Sequence, residues 1–234
     1  MITDARELLR VWETGAHASP TRRGVLLMGA ALPLLPVEAL LGASIGHRDA
    51  WLLNLREALF GSHIECLTSC PRCGEQSEIA FQTTDIRATH AAPQHQCHIG
   101  EARFRLPDSA DLLAIEGVRD AAAAEQALLQ RCRLDDADKP GPFGAGIAEA
   151  AILAMSRADP QAEVLLALAC PACGHRSTAL FDIVAHLWCE LDHWAGSMLR
   201  KVHVLASRYG WSEDSILAMS GARRAAYLDL AGAP

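Results

Sequence analysis

Cys70-Pro71-Arg72-Cys73-Gly74 returns further along the chain as Cys170-Pro171-Ala172-Cys173-Gly174, and both stretches read C-P-x-C-G. The likeness runs on, with Ser77 matching Ser177 and Phe81 matching Phe181. An apolar run enters each copy, and Asp-Ile follows each, as Asp85-Ile86 and Asp182-Ile183. This is a small internal repeat of strand, knuckle and return strand. Two cysteines three apart form a tight turn that aims both sulfurs at one cation, and the Gly behind them tolerates the left-handed backbone the turn needs. Two such turns supply the four thiolates of a tetrahedral zinc site. Cys70, Cys73, Cys170 and Cys173 are therefore the candidate metal ligands.

The spacing shapes the fold. A compact zinc ribbon separates its two pairs by about 15–20 residues, whereas 96 residues lie between Cys73 and Cys170. The expectation is one split antiparallel ribbon with an insertion between its halves, closed by one structural zinc. Two separate sites completed by other ligands, and a metal-free pair of hairpins, are the alternatives. A redox dithiol wants its first Cys at a helix N-terminus, where the dipole lowers the thiol pKa. A Gly and a polar, strand-like segment follow each pair here instead.

Half the residues are hydrophobic but only 5% are aromatic; Ala and Leu prevail, which favours helix. The net charge of −7 argues against binding nucleic acid through bulk charge, which needs clustered Lys and Arg. Eight cysteines are too few for a disulfide scaffold in a chain of this length, and knuckle thiols must be reduced, which points to the cytoplasm. Thr21-Arg22-Arg23-Gly24 and the apolar residues after it faintly resemble a twin-arginine export signal. Pro33, Pro36 and Glu38 interrupt that run, and Asp4, Glu7 and Glu13 precede it, so a globular helix is expected. No membrane span is expected.

The α+β reading divides the chain into five parts. Residues 1–62 form a helical region, with helices over 4–14, 22–32, 37–41 and 47–60. Residues 63–106 hold the first ribbon half, with strands His63 to Ser69 and Ser77 to Thr83 and a further strand from Ala102 to Leu106. His90, His95, Cys97 and His98 sit in a polar loop between them. Residues 107–158 are a helical insertion, capped by Asp108 or Ser109 and then running through Asp120 to Leu134 and 147–157. Its Pro- and Gly-rich loop covers 135–146. Residues 159–182 hold the second half, with a strand from Val164 to Ala169. In 183–234 a helix capped by Asp182 runs to Tyr209, with Ile183, Leu187, Leu191, Trp194, Met198, Val202, Leu205 and Tyr209 as one stripe. Short helices capped by Ser212 and Ser220 follow, and Arg223 with Arg224 reads as a solvated basic spot.

Several stretches resemble a known family. They are Ile45-Gly46-His47-Arg48-Asp49-Ala50-Trp51-Leu52-Leu53-Asn54-Leu55-Arg56-Glu57 through Phe60-Gly61, and Phe104-Arg105-Leu106-Pro107-Asp108-Ser109-Ala110-Asp111-Leu112. With them go the two knuckles and the tail from Phe181 through Tyr209-Gly210-Trp211 to Arg223-Arg224 and Tyr227-Leu228. Together they resemble the baseplate hub assembly chaperones of T4-type phages and their relatives encoded beside phage-tail-like contractile injection particles. The resemblance implies a non-catalytic assembly role, with hub or spike proteins as partners. Trp194, Met198, Trp211, Arg223, Arg224 and Tyr227 are the candidate partner-binding residues.

Two other functional classes make different demands on the sequence. A nucleic-acid-binding zinc-ribbon regulator would need a basic face at the ribbon, where only Arg72, His175 and Arg176 lie. An enzyme would need a catalytic constellation, and H-E-x-x-H, G-x-S-x-G, P-loop and dinucleotide-glycine patterns are all absent from the sequence. Glu190, Asp192 and His193 are expected to be surface polar groups on the long helix.

Overall fold

The computed structural model describes residues 4–88, 96–100, 102–135 and 143–232. The chain packs as two units, Leu34–Ile183 and the pair of segments Met1–Pro33 with Val184–Pro234. The expected N-terminal helical region is thus divided between them. The fold is α+β, mainly helical, with three two-stranded antiparallel sheets and a long helix near the C-terminus.

In the smaller unit, α1 (Ala5–Gly15) starts at Asp4, whose side chain accepts from the Arg6 N–H at 3.0 Å, and α2 (Pro20–Ala31) starts at Ser19. Arg23, of the faint export motif, instead closes α1: its guanidinium donates to the Gly15 and Ala16 carbonyls and lies over the Trp188 ring. Gly15 must lack a side chain, because a Cβ would fall 2.3 Å from that same ring.

The other helices of this unit end the chain. Past the larger unit, described below, come α8 (Ile183–Tyr209), α9 (Glu213–Leu217) and α10 (Gly221–Leu230). At 1.5 Å per residue α8 is about 40 Å long. The expected stripe is buried at Ile183, Leu187, Leu191, Met198, Val202 and Leu205, and half-buried at Trp194 and Tyr209. A five-residue helix such as α9 is unstable alone. Ile216 and Leu217 hold it by burial beside Leu9, Met198, Val202 and Leu205, at roughly 2 kcal/mol per side chain.

The larger unit is built on α4 (Ile45–Phe60), which follows the single turn α3 (Val37–Leu41). Leu52, Leu53, Leu55, Arg48 and Arg56 are all buried, so α4 has no broad solvent face. At its start the Gly46 N–H donates to Asp159 at 2.8 Å, so close that a Cβ would meet that carboxylate at 1.9 Å. At its end Glu57 accepts from Thr83 and Arg87, anchoring the base of the first hairpin.

That hairpin pairs β1 (His63–Ser69) with β2 (Gln76–Gln82). The expected polar loop differs from what is found: Gln96–Ile99 is a strand, β3, paired with β4 (Ala102–Arg105). Cys97 turns inward there because alternate strand residues face opposite sides, and it joins Phe104, Leu129, Cys132 and Met155 in a core. His90 and His95 lie outside the described residues. The insertion supplies α5 (Ser109–Ile115), α6 (Ala121–Cys132) and α7 (Ala145–Ala158). Most of the loop expected over 135–146 is likewise undescribed, and α7 begins two residues earlier than expected. The second hairpin pairs β5 (Val164–Ala169) with β6 (Arg176–Phe181).

Two carboxylates withdrawn from water, Asp49 and Asp111, differ in their surroundings. Burial outweighs the single Arg48 partner at 2.7 Å and pushes Asp49 up to about 6. Burial also raises Asp111, but Arg105 grips it with two hydrogen bonds of 2.5 and 2.8 Å, and Arg131 adds one at 3.0 Å. Those donors, with the Asp108 backbone in a reciprocal helix cap, hold Asp111 below the ordinary carboxylate range. The segment from Phe104 to Asp111 is therefore a folding staple, and it meets α4 where the Ile45 N–H donates to the Pro107 carbonyl. Asp111→Asn should cost about 3 kcal/mol in urea unfolding, the scale for breaking a buried pair. Since Asp111 is depressed in the fold, its contribution is present above an ordinary aspartate pKa of about 4 and fades as pH falls through the lower folded value. The variant's deficit should accordingly shrink on acidification.

Candidate metal centre

Each knuckle follows from a strand pair that cannot close directly. Ser69 pairs with Gln76 and Ala169 with Arg176, leaving six residues to turn the chain in each copy. Inside each turn the first cysteine donates its N–H to the residue after the Gly, Cys70 to the Glu75 carbonyl and Cys170 to that of His175. Each first cysteine also accepts at its carbonyl from the Gly, Gly74 or Gly174. Both glycines are left-handed, with φ of 77° and 67°, a region that disfavours side chains. The repeat is therefore conformational as well as textual.

The two turns meet. Sγ atoms of Cys70, Cys73, Cys170 and Cys173 all lie within 4.8 Å of one another, and the Cys70–Cys173 and Cys73–Cys170 pairs are 3.7 Å apart. Four sulfurs at about 2.3 Å from a tetrahedral centre would stand about 3.8 Å apart. The donor set thus fits one metal ion shared by both halves. It is the only group of three or more metal-binding side chains so close together among the described residues.

The electrostatics ask for a cation. Backbone N–H groups of Arg72 and Cys73 point at the Cys70 sulfur and lower its thiol to about 6. Cys73 receives the Glu75 N–H, which lowers it, but the crowd of neighbouring sulfurs, Cys173 foremost, wins and pushes it up to about 12. Like charges this close cannot all form by themselves. A bound cation removes that obstacle.

The remaining cysteines stand apart from this centre. Cys66 is half-buried on the same strand face as Thr68, Cys97 and Cys132 are buried in the insertion core, and Cys189 is exposed on α8. Burial pushes the Cys97 thiol up, and that of Cys132 to about 12, which makes both inert filler. Cys97 and His98 alternate along β3, so they face opposite ways.

The candidate partner residues all lie in the smaller unit. Trp211 stacks on Tyr209 at 4.5 Å and meets Tyr227 edge-on at 4.7 Å, and the Arg223 guanidinium stands 5.7 Å from the Tyr227 ring. Trp194 is half-buried. Met198, only 5% exposed, belongs to the core. Arg224 corrects the expectation of a solvated pair: 9% exposed, it donates to the Ile216, Leu217 and Met219 carbonyls at the end of α9. Those orphan carbonyls need a donor, and a cation suits the negative helix end. An arginine just beyond a short helix was the available signal. Sequence reasoning also missed Gln161, buried before β5, whose amide oxygen accepts from the Ala88 N–H while its nitrogen donates to the Ile86 carbonyl. It ties the exit of one hairpin to the entry of the other.

Cys70→Ser and Cys173→Ser should behave alike, each yielding protease-sensitive or insoluble protein, because each removes one ligand from the same centre. Metal loading should release protons, since raised thiols at Cys73 and Cys173 must ionise, and affinity should therefore weaken as pH is lowered. A competition titration with a chromophoric chelator across pH reads this directly. Comparisons of the chain with protein-family models, with curated proteins and with solved structures find no match in any of the three.

Proposed function

We propose that the four sulfurs hold one structural zinc ion, and that the protein is a non-catalytic assembly factor for the baseplate hub of a contractile phage tail or phage-tail-like particle. The observation that carries the metal reading is the tetrahedral spacing of four thiols. Soft thiolates in that geometry suit zinc. When four thiolates fill its coordination sphere the ion has no open position for water or substrate, so its contribution is to hold two hairpins together.

The assembly role rests on the resemblance, and the fold lends it support in two ways. Two segments that carry the resemblance adjoin in space, the start of α4 bonding to the Pro107 carbonyl. The ribbon also displays apolar side chains outward, with Leu67, Leu165 and Leu180 all exposed. Leu165 and Leu180 are cross-strand neighbours, and adjoining exposed apolar groups are a feature of binding surfaces. The mechanism is shielding of an unfinished apolar surface on a hub or spike subunit until its proper neighbour arrives. No helix among the described residues is long and apolar enough to cross a membrane.

Metal analysis of purified protein should find about one zinc per chain; two would replace the shared site by separate ones. The chain should co-purify with a hub or spike protein encoded beside it. A deletion strain that assembles particles in normal yield would remove the assembly role.

A further inference from the structure

The second hairpin differs from the first where packing does not require it to. Advancing by one repeat, Glu65 becomes Leu165 and Ala80 becomes Leu180. These leucines are cross-strand partners, 56% and 63% exposed. The first copy has Glu and Ala at those places, and its exposed leucine is Leu67, where the second copy has Ala167. The strand they border, Val164–Ala169, also lacks the Lys, Glu or Pro that ordinarily blunts an edge.

Register shows which backbone groups are free. The Cys170 N–H donates to the His175 carbonyl, so bonded pairs continue in alternation through Leu168–Ser177, Leu166–Ala179 and Val164–Phe181. The N–H and C=O groups of Leu165 and Ala167 then point away from β6. They border a groove of about 560 Å³ lined by every residue from Val164 to Leu168 on one side and by Ile79, Ala80 and Phe81 on the other. Pro160 and Ile86–Ala88 also line it. Among the described residues β5 pairs with β6 alone.

Two charged side chains line the groove, Asp85 and Arg87. Arg87 lines the groove but is held by Glu57 at 2.8 Å and Asn54 at 2.6 Å, whereas Asp85 has no cation against it among the described residues.

We propose that the free edge of β5 takes up an extended, apolar segment of a partner protein as an added strand, with a Lys or Arg of that segment reaching Asp85. One row of its side chains would lie over Ile79 and Phe81, the other beside Leu165. Main-chain bonds to Leu165 and Ala167 provide affinity and the two apolar rows provide selectivity. In naming a hub or spike segment as the natural occupant, the proposal rests on the assembly reading above; the ledge itself does not.

The experiment uses the full metal-loaded chain and a phage-displayed library of random heptapeptides. Selected peptides should be apolar with a basic residue, and binding should fall about tenfold or more in Ala167→Pro. That substitution removes an outward N–H while leaving the bonds of Leu166 and Leu168 to β6, as edge strands allow. Metal content and unfolding midpoint monitor the fold. Should either change, N-methylation at the centre of a selected peptide removes a main-chain donor from the other partner, and binding should collapse equally. The Leu165 and Ala167 amides should exchange fast in the free protein and slowly in the complex. Peptides that bind Ala167→Pro and wild type alike, an N-methylated peptide that binds undiminished, or failure to select any peptide would overturn the proposal. So would a self-associated chain that Ala167→Pro dissociates, since a second copy would then be the occupant. No hub protein enters this selection, so its failure is distinct from failure to co-purify with one.

Discussion

Four sulfurs within 4.8 Å, brought from turns 96 residues apart, are the constraint to which the larger unit answers. Loop closure explains why so long a separation is tolerable. Its cost grows with the logarithm of length, so the insertion adds only about 1.5 kcal/mol over a compact ribbon. The insertion offsets even that by packing its own core around Phe104, Leu129 and Met155. Ties between the hairpins exist without a metal as well. Phe81 and Phe181, equivalent residues of the repeat, meet edge to face at 5.4 Å, and Gln161 bonds across the two hairpin bases. The cysteine cluster and these protein contacts thus lie at the two ends of the same joint.

Around that joint, buried polar groups do what apolar burial cannot: they set which segment lies against which. Apolar contact is non-directional, whereas Glu57 accepts from Thr83 and Arg87 in one arrangement, and Asp159 receives the Gly46 N–H in one arrangement. The contrast between Asp49 and Asp111 follows from their surroundings. At Asp49 burial, with Asp159 and Asp182 nearby, outweighs one arginine; at Asp111 two arginines and a backbone N–H outweigh burial.

The two hairpins show how a repeat acquires a direction. Knuckle geometry and the Phe pair are shared, because each closes the ribbon. The outer faces are released from that duty, and they differ most at one cross-strand pair: Glu65 and Ala80 on the first copy, Leu165 and Leu180 on the second. The proposed zinc would then serve as a fixed frame, and the proposed docking would draw on what the frame leaves free.

The ribbon strands, both knuckles and the helix starts at Asp4, Asp108, Asp120, Ser212 and Ser220 were legible in the chain, some to the residue. Each depends on neighbours a few positions away: a Gly behind two cysteines, a side-chain oxygen before a helix, alternation along a strand. The four candidate ligands were legible for the same reason, as was their sharing of one centre, because the second knuckle repeats the first. What tertiary structure alone decided is where distant partners meet. Arg224 reads as solvent-exposed until the α9 carbonyls are placed beside it, and Cys97 reads as loop until a strand lies opposite. Asp111 is an ordinary helix-start acid until Arg131 arrives from another helix, and α1 and α2 read as one block with α4 until α8, much later in the chain, packs with them. Local chemistry is written in spacing; burial and pairing are settled only when residues remote in sequence compete for the same space and the same hydrogen bonds.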